Sequence, residues 1–293
     1  MKILLTGGEG MLAKDFLSVL DQFPEFECYV PPREELDITN QGQVESIIKN
    51  YRSDILLNCA AYTKVDKAET ESALAFRVNG ISVGKLAEVC HRSGVKIVHL
   101  STDFVFDGSN SSPVTESNYT APLSVYGKSK RDGEARIEAS DADWLIVRTS
   151  WLFAAHGNNF VRTMVRMGSE RDQIRVVSDQ FGSPTWTRDL ALALCTLIRG
   201  NVQNYIHFGG LNSCSWFELA NYTLKQAYQI GLVPTLPKIT PIQTRQYPLP
   251  APRPAYSVLS NQRYQELTGS QPMMWEEAVD SVLKRLHEQS QDE

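Results

Sequence analysis

The sequence has no long apolar run, no cysteine pair at metal or redox spacing, and no excess of positive charge. Nowhere do about 18 apolar residues follow one another, as a membrane-spanning helix requires. The five cysteines are odd in number and lack CxxC spacing, which predicts reduced, mostly buried thiols. A net charge of -5 disfavours nucleic acid as a partner. We therefore expect a soluble cytoplasmic protein that binds neither a membrane nor a nucleic-acid polymer.

The first half of the chain alternates short β-branched runs with amphipathic stretches, a pattern typical of a parallel sheet covered by helices on both faces. The predicted strands are residues 2–5, 27–30, 55–59, 97–101, 145–149 and 175–177. The predicted helices between them are residues 11–20, 43–51, 73–93 and 126–139. This order predicts an α/β fold with a Rossmann-type doubly wound parallel sheet in residues 1–150. We expect a later strand, near residues 174–180, to return to that sheet.

The composition and pattern of the sequence change after about Trp151. Glycine and asparagine clusters and a proline-rich run at residues 234–254 are interleaved with the helical stretches 189–198, 215–230 and 275–288. We predict that residues 151–293 mainly form a smaller substrate-binding lobe, interleaved with the sheet domain.

A glycine-rich turn follows the first predicted strand. Gly7, Gly10 and Ala13 give the pattern GxxGxxA at the start of the first helix. Glycines there let backbone N–H groups approach a pyrophosphate, and the helix N-terminus adds partial positive charge. Such turns also end strands for steric reasons alone, but their position here predicts a dinucleotide site.

The end of the second strand bears on the choice of cofactor. An acidic residue that would bind a ribose 2′-hydroxyl is missing directly after Val30, where Pro31, Pro32 and Arg33 follow. Because an arginine can neutralise a 2′-phosphate, Arg33 favours NADPH over NADH. Two alternatives stay open: a neighbouring glutamate binds the ribose, as NADH would need, or Arg33 is a solvated surface charge.

Tyr126 and Lys130 lie four residues apart at the start of a predicted helix, so they share one helix face. An ammonium near a phenol favours the phenolate and tunes the tyrosine for proton transfer. The alternative is a tyrosine packed against a lysine stem. Thr102 lies 24 residues before Tyr126 (126 minus 102) and follows a predicted strand, where ligands of doubly wound sheets bind. Thr102 also suits a local turn cap, but the combined pattern predicts a reductase.

Eight ordered segments resemble the extended short-chain dehydrogenase/reductase superfamily and, within it, the dTDP-4-dehydrorhamnose reductase family. The resemblance covers almost the whole chain. The segments are LDITN (36–40), NCAAYTKVDKAE (58–69), STDFVFDG (101–108), PLSVYGKSK (122–130), RTSWLF (148–153), GNNF (157–160), DQFGSPT (179–185) and RPAYSVLS (253–260).

The resemblance implies reduction of dTDP-4-dehydro-β-L-rhamnose to dTDP-β-L-rhamnose, a precursor of bacterial surface polysaccharide. It makes Tyr126 the proton donor to the C4 oxygen, Lys130 the anchor of the cofactor ribose, and Thr102 the hydroxyl that orients the keto oxygen. The cofactor residues that it implies are Gly7, Gly10, Met11, Asp37, Ile38, Ala60, Ala61 and Thr63. The deoxysugar residues that it implies are Val65, Asp103, Phe104 and Trp151.

Physical arguments extend this set. Trp151 can offer an aromatic face to the C–H side of a sugar, or else pack in the core. Asn158 and Asn159 are candidates to donate amide hydrogens to the diphosphate, and Arg253 to supply charge.

Some members of the family bind Mg²⁺ at a dimer contact through three acidic side chains. Asp15 and Asp189 lie near the corresponding positions, but the sequence offers no third ligand. We expect both to face solvent, and leave Mg²⁺ dependence and a homodimer open.

Two rival functions remain at this point. The first is reduction of another nucleotide-linked 4-keto sugar. The second is a non-catalytic, NADP-binding regulatory subunit, since a fold alone does not fix a function.

Overall fold

Short apolar runs form the strands of the protein, of which the computed structural model describes residues 1–291. The strands in that range are β1 (Lys2–Thr6), β2 (Glu27–Tyr29), β3 (Ile55–Asn58), β4 (Lys96–Thr102), β5 (Trp144–Thr149), β6 (Leu152–Phe153), β7 (Gln173–Val177), β8 (Phe181–Gly182), β9 (Thr185–Trp186), β10 (Asn204–His207), β11 (Cys214–Ser215) and β12 (Lys238–Ile242).

Helices alternate with these strands. They are α1 (Met11–Val19), α2 (Gln41–Tyr51), α3 (Val65–Ala68), α4 (Ser72–Phe76), α5 (Ser82–Ser93), α6 (Val125–Glu138), α7 (Phe160–Glu170), α8 (Thr187–Arg199), α9 (Trp216–Gln229), α10 (Gln262–Thr268) and α11 (Trp275–Gln291). The predicted helix 73–93 is divided into α4, a π-helical turn at Arg77–Ile81, and α5. None of the helices described is long and apolar enough to cross a membrane.

Six strands form the central sheet, in the order β10-β5-β4-β3-β1-β2, and every pair is parallel. Chain order reverses between β1 and β3, which opens a cleft at their carboxyl ends. Helices cover both faces. Phe16 of α1 and Leu194 of α8 belong to one core, whereas Ile48 of α2 and Leu86 of α5 belong to the other. The predicted doubly wound Rossmann-type sheet is confirmed.

One predicted strand pairs differently. β7 does not return to the central sheet, because it pairs in parallel with β12 in a separate two-stranded sheet. The β-branched run marked the strand correctly, but side-chain exposure alternates along it: Ile174 and Val176 are buried and Arg175 is exposed. A strand with one solvent-exposed face suits the edge of the second lobe. There Ile174 and Val176 join the core formed with α7, α9 and α11. The strand that returns to the central sheet from beyond residue 150 is β10.

A buried ion pair fastens α6 to the sheet. Arg148 of β5 donates from Nε and Nη2 to the two carboxylate oxygens of Glu134, at 2.9 and 2.7 Å. Both side chains are almost completely buried, and the Arg148 guanidinium also lies 4.0 Å from the ring centroid of Tyr205. Since α6 carries Tyr126 and Lys130, this ion pair fixes the position of both residues relative to the sheet.

We predict that Glu134→Gln lowers the free energy of unfolding by about 3–5 kcal/mol, because it leaves Arg148 buried without its counter-charge. Urea unfolding followed by circular dichroism measures the change. Glu170→Gln is the matched control, since Glu170 forms an exposed pair with Arg166 and its loss costs under about 1 kcal/mol. Equal losses in the two variants would contradict this account of the ion pair.

Candidate active site

The glycine turn after β1 opens directly against the start of the loop after β3. Gly7 has φ +73°, and a Cβ there would lie 2.7 Å from the backbone nitrogen of Ala60, so only glycine fits. Gly10 donates its N–H to the Gly7 carbonyl at 2.9 Å and precedes α1 without any side-chain cap. The first N–H groups of α1, from Met11 onward, therefore have no side-chain acceptor at the switch point of the sheet. This geometry fits a dinucleotide pyrophosphate.

Asn79 holds the loop that faces this turn. Its side-chain oxygen accepts from Tyr62 N at 2.8 Å, and its amide donates to Tyr62 O at 2.9 Å and to Ser129 Oγ at 3.0 Å. These bonds tie the segment that holds Ala60, Ala61 and Thr63 to helix α6. Sequence reasoning missed Asn79, whose one signal is a polar residue within an apolar helical stretch.

Arg33 lies beyond the end of β2, with its side chain 85% exposed and one guanidinium nitrogen 3.9 Å from the Asp37 carboxylate. The backbone N–H of Thr39 donates to Asp37 and holds the pKa of its carboxyl below the ordinary value. A cavity of about 470 Å³ in this region is lined by Arg33, Glu34, Asp37, Thr39, Asn40 and Gln43. Its size and charge suit a ribose with or without a 2′-phosphate. Ile38 differs, because its side chain is buried in the core and leaves only its backbone available.

Tyr126 and Lys130 lie one turn apart on α6, whose first turn is capped by Ser124 Oγ. Burial raises the pKa of Tyr126 to about 12, although the nearby hydroxyl of Thr102 acts to lower it. The sequence predicted a cation that favours the phenolate. Burial sets this pKa instead, and Lys130 does not lower it, so the phenol stays protonated at neutral pH.

The amine of Lys130 is buried beside β4. Its Nζ donates to the Leu100 carbonyl at 2.6 Å and lies 3.2 Å from His99 Nε2. Burial lowers the pKa of Lys130 to about 8. Helix α6 thus places Tyr126 near Thr102 at the end of β4 and, one turn later, Lys130 against His99 and the Leu100 carbonyl.

Thr102 also caps the short turn after β4. It accepts from Phe104 N at 3.2 Å and donates to Asp103 Oδ1 at 3.0 Å, so the turn-cap alternative holds as well. Burial raises the pKa of Asp103 to about 6, and its Oδ2 has no hydrogen-bond partner in the described structure. The same is true of the buried hydroxyls of Ser101 and Thr149. Unpaired polar atoms are costly to bury, so this edge is suited to a polar ligand.

Trp151 stacks on Trp216, with ring centroids 3.4 Å apart and an angle of 5° between the planes. Its backbone has φ +47°, a strained conformation for a bulky residue. Gly182 packs against the indole, and a Cβ there would approach Cε2 to 2.4 Å. One face predicted to meet the sugar is thus covered by Trp216, which sequence reasoning missed, and the core-packing alternative applies to that face.

The predicted diphosphate ligands have protein partners of their own. Asn159 caps α7 and donates both amide hydrogens, to Ala154 O at 2.9 Å and His156 O at 3.2 Å, so its predicted phosphate donors are already used. Asn158, in the same loop, is exposed. Arg253 makes a two-pronged pair with Asp66 at 3.0 and 2.8 Å, an ion pair that the sequence did not predict. Asp66 follows Val65, the first residue of α3.

The two acidic residues considered as magnesium ligands do not face solvent as expected. Asp15 is buried and accepts a hydrogen bond from Thr187 Oγ1. Asp189 is partly buried and accepts from Met273 N at 2.8 Å, and burial raises its pKa. Within residues 1–291, no group of three or more histidine, cysteine, aspartate or glutamate side chains is arranged to hold a metal ion.

Known proteins share this sequence and architecture. The model of the family described as RmlD substrate binding domain matches residues 1–288. A dTDP-4-dehydrorhamnose reductase of Burkholderia thailandensis is 40% identical over 98% of this chain and 99% of its own length. A dTDP-4-keto-6-deoxy-D-glucose reductase of Streptomyces niveus is 35% identical over 97% of each chain.

A solved structure gives the same result for the fold. The dTDP-4-dehydrorhamnose reductase of Bacillus anthracis, in complex with NADP, has a TM-score of 0.90 and 36% identity, covering 97% of this chain and 99% of that chain. On the length of the family match and the identity of these relatives, the chain belongs to the dTDP-4-dehydrorhamnose reductase family.

Proposed function

We propose that this protein reduces the C4 ketone of dTDP-4-dehydro-β-L-rhamnose to dTDP-β-L-rhamnose with NADPH, as a step in making an activated sugar for surface polysaccharide. The observation that supports the proposal is the packing of α6 on β4, which brings Tyr126 near Thr102 and the Lys130 amine to the Leu100 carbonyl. Relatives named dTDP-4-dehydrorhamnose reductase support the choice of sugar.

The cofactor site extends from the glycine turn to the end of β2. Gly7 and Gly10 would hold the pyrophosphate, and Arg33 and Asp37 the adenosine ribose with its 2′-phosphate. The NADP complex of the Bacillus anthracis relative supports NADPH. When bound, NADPH supplies the hydride that reduces the ketone.

Tyr126 donates the proton. Because its pKa is raised to about 12, the phenol is protonated at neutral pH and can deliver its proton to the C4 oxygen as negative charge develops there. Thr102 lies near the same phenol and would orient the keto oxygen. Lys130, whose amine is held by the Leu100 carbonyl, anchors the nicotinamide ribose and stabilises the developing charge.

The substrate lies between β4 and the second lobe. We assign Val65, Asp103, Phe104 and Trp151 to the deoxysugar. Trp151 would contact the sugar with the part of its ring that Trp216 does not cover. Asn158 and Arg253 are assigned to the diphosphate. Because Arg253 is paired with Asp66, its guanidinium would interact with both that carboxylate and the diphosphate.

The Streptomyces niveus relative favours a second candidate, reduction of another dTDP-linked 4-keto sugar. The chemistry would be the same and the second lobe would choose the sugar. A non-catalytic regulatory subunit has no need for Thr102, Tyr126 and Lys130 together and is the weaker alternative. The homodimer, the cytoplasmic location and any Mg²⁺ dependence stay predictions.

The assay that tests the proposal uses enzymatically prepared dTDP-4-dehydro-L-rhamnose and follows NADPH oxidation, with the product identified by NMR. A panel of other dTDP-, GDP- and UDP-linked keto sugars tests the second candidate. Absence of turnover on every sugar, together with tight NADP binding, would support the regulatory alternative instead.

We predict that Tyr126→Phe lowers kcat by at least about 100-fold, because the proton donor is lost while the ring is kept. NADPH affinity, measured by quenching of tryptophan fluorescence, should stay nearly unchanged. Tyr119→Phe is the control, since Tyr119 is 89% exposed and should keep full turnover. Wild-type kcat in Tyr126→Phe would remove this residue from the chemistry.

Arg33→Ala should raise the KM for NADPH by about tenfold and leave the KM for NADH nearly unchanged, because the lost charge contacts only the 2′-phosphate. Steady-state kinetics with both cofactors measures the ratio. Arg166→Ala, on the exposed side of α7, controls for loss of surface charge. An unchanged NADPH to NADH ratio would place Arg33 outside the cofactor site.

A further inference from the structure

Four buried polar side chains form a row of close polar contacts across the central sheet. Thr6 Oγ1 lies 2.6 Å from Asn58 Oδ1, Asn58 Nδ2 lies 2.9 Å from His99 Nδ1, and His99 Nε2 lies 3.2 Å from Lys130 Nζ. Each of the four residues is at most 2% exposed. They come from three adjacent strands and one helix, so only the folded sheet brings them together.

The strand register explains the alignment. Thr6 is the register partner of Asn58, and Asn58 is the partner of His99, so the three side chains lie in a row across β1, β3 and β4. Lys130 reaches the end of the row from α6. Burying such groups costs free energy unless each finds a partner, and the row leads to a residue assigned to cofactor binding.

The chemistry of Lys130 limits the direction of the hydrogen bonds. An ammonium has no lone pair, so His99 Nε2 must accept when Lys130 is charged, and the ring proton then lies on Nδ1. That N–H needs an acceptor, which Asn58 supplies when its side-chain oxygen faces His99. Thr6 can donate or accept, so it satisfies either orientation of the amide.

The arrangement in the structure is the opposite one. The Asn58 nitrogen faces His99 Nδ1, so the amide donates and the ring proton lies on Nε2. From there it can be donated only to an uncharged Lys130 amine. A half-turn of the Asn58 amide exchanges its oxygen and nitrogen and gives the arrangement that suits the ammonium. Hydrogen-bond chemistry therefore allows two arrangements of the row, one for each charge of Lys130.

We propose that His99 is a positioning residue that couples the charge on Lys130 to the orientation of the Asn58 amide by changing its tautomer while it stays neutral. His99 and the Leu100 carbonyl together fix the amine, which leaves its remaining N–H for the cofactor ribose. Burial holds the pKa of His99 well below its ordinary value, so the ring does not itself gain a charge. The proposal rests on the proposed function only for the role of Lys130 toward the ribose.

Other ionisable groups near Lys130 do not replace His99 in this role. Glu134 faces Lys130 from the next turn of α6 and favours its charged form, but Glu134 is held by Arg148. Burial raises the pKa of the Cys59 thiol, at the end of β3, to about 12, so it is neutral. Asp103, from the turn after β4, acts on Tyr126.

The direct test is the tautomer of His99 in the cofactor-free protein. With ¹⁵N-labelled histidine, two-bond ¹H–¹⁵N spectra identify the protonated nitrogen of each of the five imidazoles, and His99→Gln assigns the signal. The pKa of Lys130, about 8, sets the expected midpoint. Below it Lys130 is charged and the proton should be on Nδ1, whereas above it the proton should move to Nε2. One unchanged tautomer on both sides of the midpoint would overturn the proposal.

Asn58→Asp gives the second measurement. A carboxylate can only accept, so it should keep the His99 proton on Nδ1 at both pH values and keep Lys130 charged to higher pH. NADP⁺ affinity, measured by fluorescence as a function of pH, falls at alkaline pH as Lys130 loses its proton. In Asn58→Asp the midpoint of this fall should lie about one pH unit higher. Asn50→Asp, the same change at an exposed position of α2, should not move it. An unmoved midpoint in a folded Asn58→Asp protein would contradict the coupling.

Two further variants separate positioning from packing. His99→Leu removes the acceptor and should weaken NADP⁺ binding by about tenfold, whereas His99→Gln retains an acceptor and should restore most of the affinity. Equal losses in the two variants would indicate packing alone. None of these readouts uses the sugar, so absence of sugar reduction would refute the proposed function and leave this inference to its own test.

Discussion

The burial of a lysine amine against β4 is the constraint on which the site depends. Lys130 is 2% exposed, and burial lowers its pKa to about 8 because water no longer solvates the charge. The Leu100 carbonyl offsets part of that cost through a bond of 2.6 Å. Helix α6 must therefore lie close to β4, and the same closeness places Tyr126 beside Thr102.

The rest of the sheet supports this close approach. The ion pair between Arg148 and Glu134 fastens the middle of α6 to β5, and Asn79 fastens its first turns to the loop after β3. Gly133 allows the contact, since a Cβ there would lie 2.1 Å from the Asn79 carbonyl oxygen. Helix, strand and cofactor loop thus hold one another, so a small change in one would move the others.

The sequence predicted what local pattern determines. The glycine turn, strands β1 to β5 of the central sheet and the pair of Tyr126 and Lys130 depend on residues near one another in the chain, and their positions were found. The sixth strand of that sheet, β10, was missed. The other errors concern distant partners. Whether β7 joins the central sheet, and whether Asp15 meets solvent or Thr187, depends on residues far away in sequence. The predicted roles of the site residues in binding cofactor and substrate stay predictions.

The division of labour between the two lobes follows from the same contacts. The groups to which we assign proton transfer belong to the sheet and to α6, whereas Arg253 and Trp216 come from the second lobe. The pair of Arg253 with Asp66 of α3 joins the lobes across the cleft, and its side chains are partly exposed. A diphosphate bound there would compete with Asp66 for the guanidinium, so substrate binding and the contact between lobes would share one arginine. Selection of the sugar by the second lobe would therefore leave the proposed proton chemistry unaltered, and two relatives of this chain are named as reductases of different dTDP-linked keto sugars.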